Sequence, residues 1–188
     1  TTSGSYTPPP WFNLWRETCL VNLFAGPGAG KSSTAARLFS ELKWRGIEVE
    51  LASEFAKDVV WEESFKLLEN QLYIFAHQHQ RIHRLLSKVQ FIITDSPLLF
   101  SLVYGESSTT FHQLVLEEHH RLNNQNYFLQ RVKEYSTVGR IQTEVEAHSL
   151  DRDVLEMLQK NDIYFEQLLS TRDAAYDIIT DLERTGLL

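Results

Sequence analysis

A single cysteine, Cys19, is all the thiol in this 188-residue chain. An intrachain disulfide and a cysteine-built zinc site are therefore excluded, which suits a reducing compartment. No apolar run approaches the roughly 20 residues that a membrane-spanning helix needs, and no charged-then-apolar leader opens the chain. Positive charge is also short, with 18 Lys and Arg against 25 Asp and Glu and a formal net charge of −7. That balance argues against a broadly basic surface for nucleic acid or anionic membrane, although a local basic groove stays compatible with it. Together these absences lead us to expect a cytosolic protein.

Proline is scarce as well, with three of the five residues consecutive at Pro8 to Pro10. They end a stretch, TTSGSYTPPP, that has no apolar periodicity, so residues 1–10 are expected to form a flexible leader. At roughly 100 to 200 residues per domain, what remains, 11–188, is expected to be one domain. No internal linker or repeat interrupts it.

Short apolar runs alternate with helical patterns along that domain. Strands are expected at 18–24, 47–52, 89–94, 126–130 and 162–168, and helices at 31–45, 64–88, 108–122, 150–160 and 172–184. The 64–88 helix carries an apolar stripe through Leu68, Leu72, Phe75, Ala76, His79, Ile82 and Leu86. Strands separated by helices mean parallel crossovers, hence an α/β sandwich with helices on both faces of a parallel sheet.

The turn after the first strand reads Ala25-Gly26-Pro27-Gly28-Ala29-Gly30-Lys31-Ser32, P-loop spacing with Ala in the leading position. A triphosphate needs several backbone N–H groups converging on its oxygens. Glycines permit the required dihedrals, and the following helix adds its positive N-terminal end. Lys31 is then expected to reach the β and γ phosphates and Ser32 to ligate Mg²⁺.

Two acidic residues stand at strand ends. Asp95, in FIITDSP, suits a carboxylate that holds Mg²⁺ or orients an acceptor; the competing reading is a helix cap ahead of Pro97. Glu54, in LASEFAKD, suits a general base for a hydroxyl acceptor, with Phe55 and Trp61 available for stacking. It competes with a plain helix start capped by Ser53. A third set, Arg131, Lys133 and Arg140, lies between the fourth strand and the next helix, and is expected to form a lid around 132–148 with Arg140 closing on the triphosphate.

Other features read as structural. His77, His79 and His83 have no matching ligand set, so packing is expected rather than a metal site. Arg81, Arg84 and Lys88 read as a solvated basic face, with contact to polynucleotide phosphates as the competing reading, and Cys19 as a core residue.

AGPGAGKSS, SEFAKD, ITDSP and a GR-containing lid together resemble the P-loop nucleoside and nucleotide kinases, including thymidylate-kinase-like and nicotinamide-riboside-kinase-like members, from about Leu20 onward. The runs NLFAGPGAGKSSTAARLF, VELASEFAKDVVWE, QLYIFAHQH and ITDSPLL most resemble small tailed-phage P-loop kinases, some of which are 5-hydroxymethyluracil DNA kinases. That resemblance implies a five-stranded sheet in the order 2-3-1-4-5 and ATP with Mg²⁺ bound along Gly26, Pro27, Gly28, Ala29, Gly30, Lys31, Ser32 and Ser33. It also implies an acceptor pocket behind strands two and three, with hydroxymethyluracil in phage DNA as acceptor. Glu54 and Asp95 compete for the base, Ser32 and Asp95 would hold the metal, and Lys31 and Arg140 would stabilise the migrating phosphoryl group. Thymidylate kinases carry Asp-Arg where this chain has Asp95-Ser96, which argues against that activity. A kinase for a free nucleotide or nicotinamide riboside is the enzymatic alternative. A nucleotide-gated ATPase that drives a partner is the alternative of another class.

Overall fold

The computed structural model describes residues 17–104, 108–132 and 143–188. Its centre is β1, Cys19–Phe24, buried along its whole length. Alternate residues of β1 serve opposite faces, with Cys19, Val21 and Leu23 in one core and Leu20 and Phe24 in the other. A strand covered on both sides needs this unbroken apolar run.

Helix α1, Lys31–Trp44, follows the P-loop and buries Ala35, Leu38 and Leu42 in the first core. It ends where Gly46 takes a φ of 77°, as a C-terminal glycine stop requires. Then come β2, Val49–Ala52, and a short helix α2, Phe55–Trp61. A 3-10 segment, Phe65–Glu69, leads into α3, Gln71–His83, and β3, Phe91–Thr94. A second 3-10 segment, Leu98–Leu102, precedes α4, Thr109–His120, and β4, Asn123–Gln130. The chain continues through α5, Glu144–Lys160, β5, Glu166–Leu169, and α6, Ala174–Arg184. All pairings are parallel, in the order β2-β3-β1-β4-β5. Helices α1 and α6 pack on one face, while α3, α4 and α5 supply the other core. The expected α/β sandwich and strand order are therefore present, and the carboxyl ends of β1, β2 and β3 point to one edge.

Several expectations need correction, among them the fifth strand, which starts at Glu166 rather than 162. The helix expected over 64–88 is broken at Asn70, whose side chain accepts from the Tyr73 N–H at 3.1 Å and so caps α3. The buried face of α3 runs through Phe75, Gln78 and Ile82, while Leu72 is 59% exposed. β4 starts at Asn123 rather than 126, because its polar opening is satisfied internally: Asn22 Nδ2 donates to Asn124 Oδ1 and Asn126 Oδ1, each at 2.9 Å. α5 begins at Glu144 instead of 150, held by a capping box between Thr143 and Glu146. Residues 144–148, placed in the expected lid, are thus helical.

Candidate active site

The P-loop runs from the end of β1 to the start of α1. Gly28 and Gly30 take φ values of 77° and 105°, which L side chains rarely adopt. No side chain caps α1, and its first turn holds no acid. Its orphan N–H groups and dipole therefore favour an anion.

Three outer elements hold this loop in shape. From α5, Asp151 Oδ1 accepts from the Gly26 N–H at 2.6 Å. From the end of β4, Arg131 pairs with Asp151 at 3.0 Å and donates to the Pro27 carbonyl at 2.8 Å. From the turn after β5, the Ser170 hydroxyl donates to the Ala29 carbonyl. The fit is close, since a Cβ on Gly26 would meet the Ala147 carbonyl oxygen at 2.6 Å. Arg131, read from sequence as part of the lid, is instead a largely buried brace. Its carboxylate partner Asp151 carries no local signal in the sequence.

Lys31 Nζ donates to the Ala25 and Gly26 carbonyls at 2.8 and 3.0 Å and lies 5.4 Å from the centre of the Phe100 ring. Burial pushes its ammonium below the usual range, and the carboxylates of Glu54, Asp95 and Asp151 oppose that shift. Ser32 Oγ donates to Asp95 Oδ2 at 2.5 Å, so the two residues expected to hold Mg²⁺ are adjacent. Hard oxygen donors in this number suit Mg²⁺, which keeps waters and phosphate oxygens for its other positions. Among the described residues no cluster of three His, Cys, Asp or Glu side chains forms a metal cage. Ser33 is exposed on α1, beside Ser32.

Glu54 occupies the N-cap position of α2 yet makes no capping hydrogen bond with its side chain. It is half-buried, and burial raises its carboxyl above the usual range, with Asp95 adding to the shift and Lys31 opposing it. Tyr104, which the sequence did not single out, also belongs to this neighbourhood: burial raises its phenol, and Glu54 and Asp151 add to the effect. The structure therefore brings Lys31, Ser32, Glu54 and Asp95 to one edge of the sheet. Arg140 and Lys133 lie outside the described residues.

Arg81 is not on a solvated face. It ion-pairs with Asp58, donates to the Ser53 carbonyl at 3.1 Å and lies over the Phe55 ring. Arg84 and Lys88 are exposed, as expected. His77 stacks on Phe55 with centroids 4.2 Å apart, and His79 pairs with Glu118 at 3.0 Å, both packing roles. Burial pushes the Cys19 thiol up to about 12, as befits a core residue. An open cleft bounded by Lys66, Leu72 and Phe111 contains no P-loop residue and neither Glu54 nor Asp95.

No helix among the described residues is long and apolar enough to cross a membrane. No curated protein matches the sequence. The fold is similar to that of a NadR protein whose crystal structure was solved in complex with NR, with a TM-score of 0.67 and 13% identity. That likeness covers 89% of this chain and 50% of the other, so the chain spans about half of that protein's length. At this identity the likeness concerns the fold alone. Residues 20–173 match the AAA domain, and with the P-loop geometry above this means that the chain belongs to the AAA-domain family of P-loop NTPases.

Proposed function

We propose that the protein is an ATP-dependent kinase that transfers the γ-phosphate to a hydroxyl of a nucleoside-like acceptor, with 5-hydroxymethyluracil in DNA as the leading candidate. The observation that carries this reading is the convergence of Glu54 on the Lys31–Asp95 edge with its carboxyl raised and unused as a cap. An acceptor phosphate oxygen is already anionic and has no need of an acid behind β2, whereas a hydroxyl acceptor benefits from a nearby proton acceptor.

In this mechanism the P-loop amides and Lys31 hold the β and γ phosphates, Lys31 exchanging its carbonyl partners for phosphate oxygens. Ser32 and Asp95 would hold Mg²⁺, which neutralises charge on the phosphate oxygens. With Asp95 engaged by Ser32, the base role falls to Glu54: its carboxylate takes the acceptor proton as the acceptor oxygen bonds to the γ phosphorus. The bond between that phosphorus and the β–γ bridging oxygen breaks, and ADP leaves. Arg140 would neutralise the transferring group.

The test is incubation with γ-labelled ATP and either DNA containing 5-hydroxymethyluracil or a panel of free nucleosides and nucleotides, with Lys31→Ala as control. Label on the modified DNA, lost in Lys31→Ala, is the expected result. Label on free acceptors only rejects the DNA reading. The NR in complex with the structurally similar NadR protein favours one second reading, a kinase for a free riboside such as nicotinamide riboside. ATP hydrolysis without any labelled acceptor would point instead to a nucleotide-gated ATPase.

A further inference from the structure

Gln78 lies on the buried face of α3 and is 4% exposed, between Phe75 and Ile82 on the same face. An apolar residue would pack there without a desolvation cost, so the amide calls for its own explanation. Both ends of it are engaged. Oε1 accepts from the Phe55 N–H at 3.0 Å, while Nε2 donates to Thr94 Oγ1 at 3.3 Å and makes a long contact of 3.5 Å to the Ala52 carbonyl. Thr94, fully buried, in turn donates to the Ala52 carbonyl at 2.8 Å and accepts from the Ser96 N–H at 3.1 Å. Ala52 and Thr94 are register partners at the ends of β2 and β3. One side chain thus touches the residue after Glu54 and the residue two before it. Through Thr94 it ties in the residues on both sides of Asp95.

We propose that Gln78 is a positioning residue for the transfer site: by accepting from the first N–H of α2 and tying that turn to the end of β3, it fixes the turn that carries Glu54 relative to Asp95. A polar side chain at an N-cap ordinarily bonds to the second or third N–H of its own helix, which Glu54 does not do. The start of α2 is anchored from α3 instead, at the preceding Phe55 N–H. The proposal rests on Glu54 acting as the base described above.

Gln78→Met removes both hydrogen-bonding ends at similar volume, whereas Gln78→Glu keeps the acceptor for the Phe55 N–H. The probes are 5-hydroxymethyluracil DNA and nicotinamide riboside with labelled ATP. On whichever probe the wild type labels, Gln78→Met should lose about 30-fold in kcat while KM for ATP stays within about twofold. Gln78→Glu should restore at least about one third of the wild-type rate. Added to Glu54→Gln, Gln78→Met should cost less than about twofold more, because both act through one group. Additive losses, or full activity in Gln78→Met, overturn the role. If Gln78→Met does not fold, Thr94→Val cuts the relay at constant shape and should lose about fivefold in kcat on the same terms, non-additively with Glu54→Gln. If the wild type labels neither these probes nor any member of the panel of free nucleosides and nucleotides, the kinase reading fails on its own. The crystal structure of the folded variant then decides positioning: a Glu54 carboxylate displaced by more than about 1 Å supports it, and one left in place overturns it.

Discussion

The Ser32 hydroxyl donates to the Asp95 carboxylate across 2.5 Å, joining the first turn of α1 to the end of β3. If this pair holds the metal, Asp95→Asn should reduce transfer about 100-fold and raise the Mg²⁺ concentration needed for half-maximal rate. Ser32→Ala should cost about tenfold, because the carboxylate remains. Initial rates across a MgCl₂ titration read both effects. An unchanged Mg²⁺ requirement in Asp95→Asn contradicts the assignment.

The Arg131–Asp151 brace predicts a coupled loss of stability and nucleotide affinity. Their side chains are only 7% and 15% exposed, so Asp151→Ala breaks a largely buried ion pair. That should lower stability by about 3 kcal/mol in urea unfolding. It also releases the Gly26 N–H, and ATP affinity should fall about tenfold. Asp151→Asn keeps an acceptor for Gly26 and should fall between Ala and wild type in both measurements.

Glu54 predicts opposite effects on activity and stability. Its folded-state carboxyl is raised, so the folded protein holds a proton there that the unfolded chain releases, and stability falls as pH rises above the ordinary glutamate value of 4.5. Glu54→Gln should therefore melt higher than wild type at neutral pH, with the difference closing below pH 4.5, while transfer falls about 100-fold. In the wild type the acid limb of the rate profile should lie above pH 4.5. A Glu54→Gln variant that is less stable at pH 7 yet equally active would contradict both halves, as read by calorimetry and labelled-ATP assays.

His119 sets a separate pH limit. Burial, aided by His120, lowers its imidazole from 6.5 to about 4. The unfolded chain then binds the extra proton first, so stability is lost as pH falls from 6.5 towards 4, at up to roughly 1.4 kcal/mol per pH unit. Phe in place of His119 should flatten that part of the stability curve, as measured by urea midpoints across the range.

What was legible in the sequence is what local spacing determines. The P-loop needs its glycines, Lys31 and Ser32 at fixed offsets between a strand and a helix, and those offsets survive any tertiary context. Asp95 and Glu54 were visible because they end strands at the ligand-binding edge of a parallel sheet. Asp151, Tyr104 and Gln78 were not, since each acquires meaning only from a partner more than 20 residues away: Gly26 for Asp151, Glu54 for Tyr104 and Phe55 for Gln78. The polar start of β4 was hidden for a similar reason, its asparagines being satisfied by Asn22 across the sheet. The onset of α5 was expected at 150 and so missed, although Thr143 and Glu146 spell a capping box in the sequence.

The Ser170–Ala29 hydrogen bond spans 141 positions. It gives the nucleotide cradle a place in time as well as in space. At about 5 to 20 residues per second, the ribosome makes Ala29 roughly 7 to 28 seconds before Ser170. Arg131 and Asp151, the other outer supports, also come late. During that interval the nascent chain carries a complete P-loop sequence without the partners that hold it in shape, so competence to bind ATP should be acquired late in synthesis, after most of the sheet has been made.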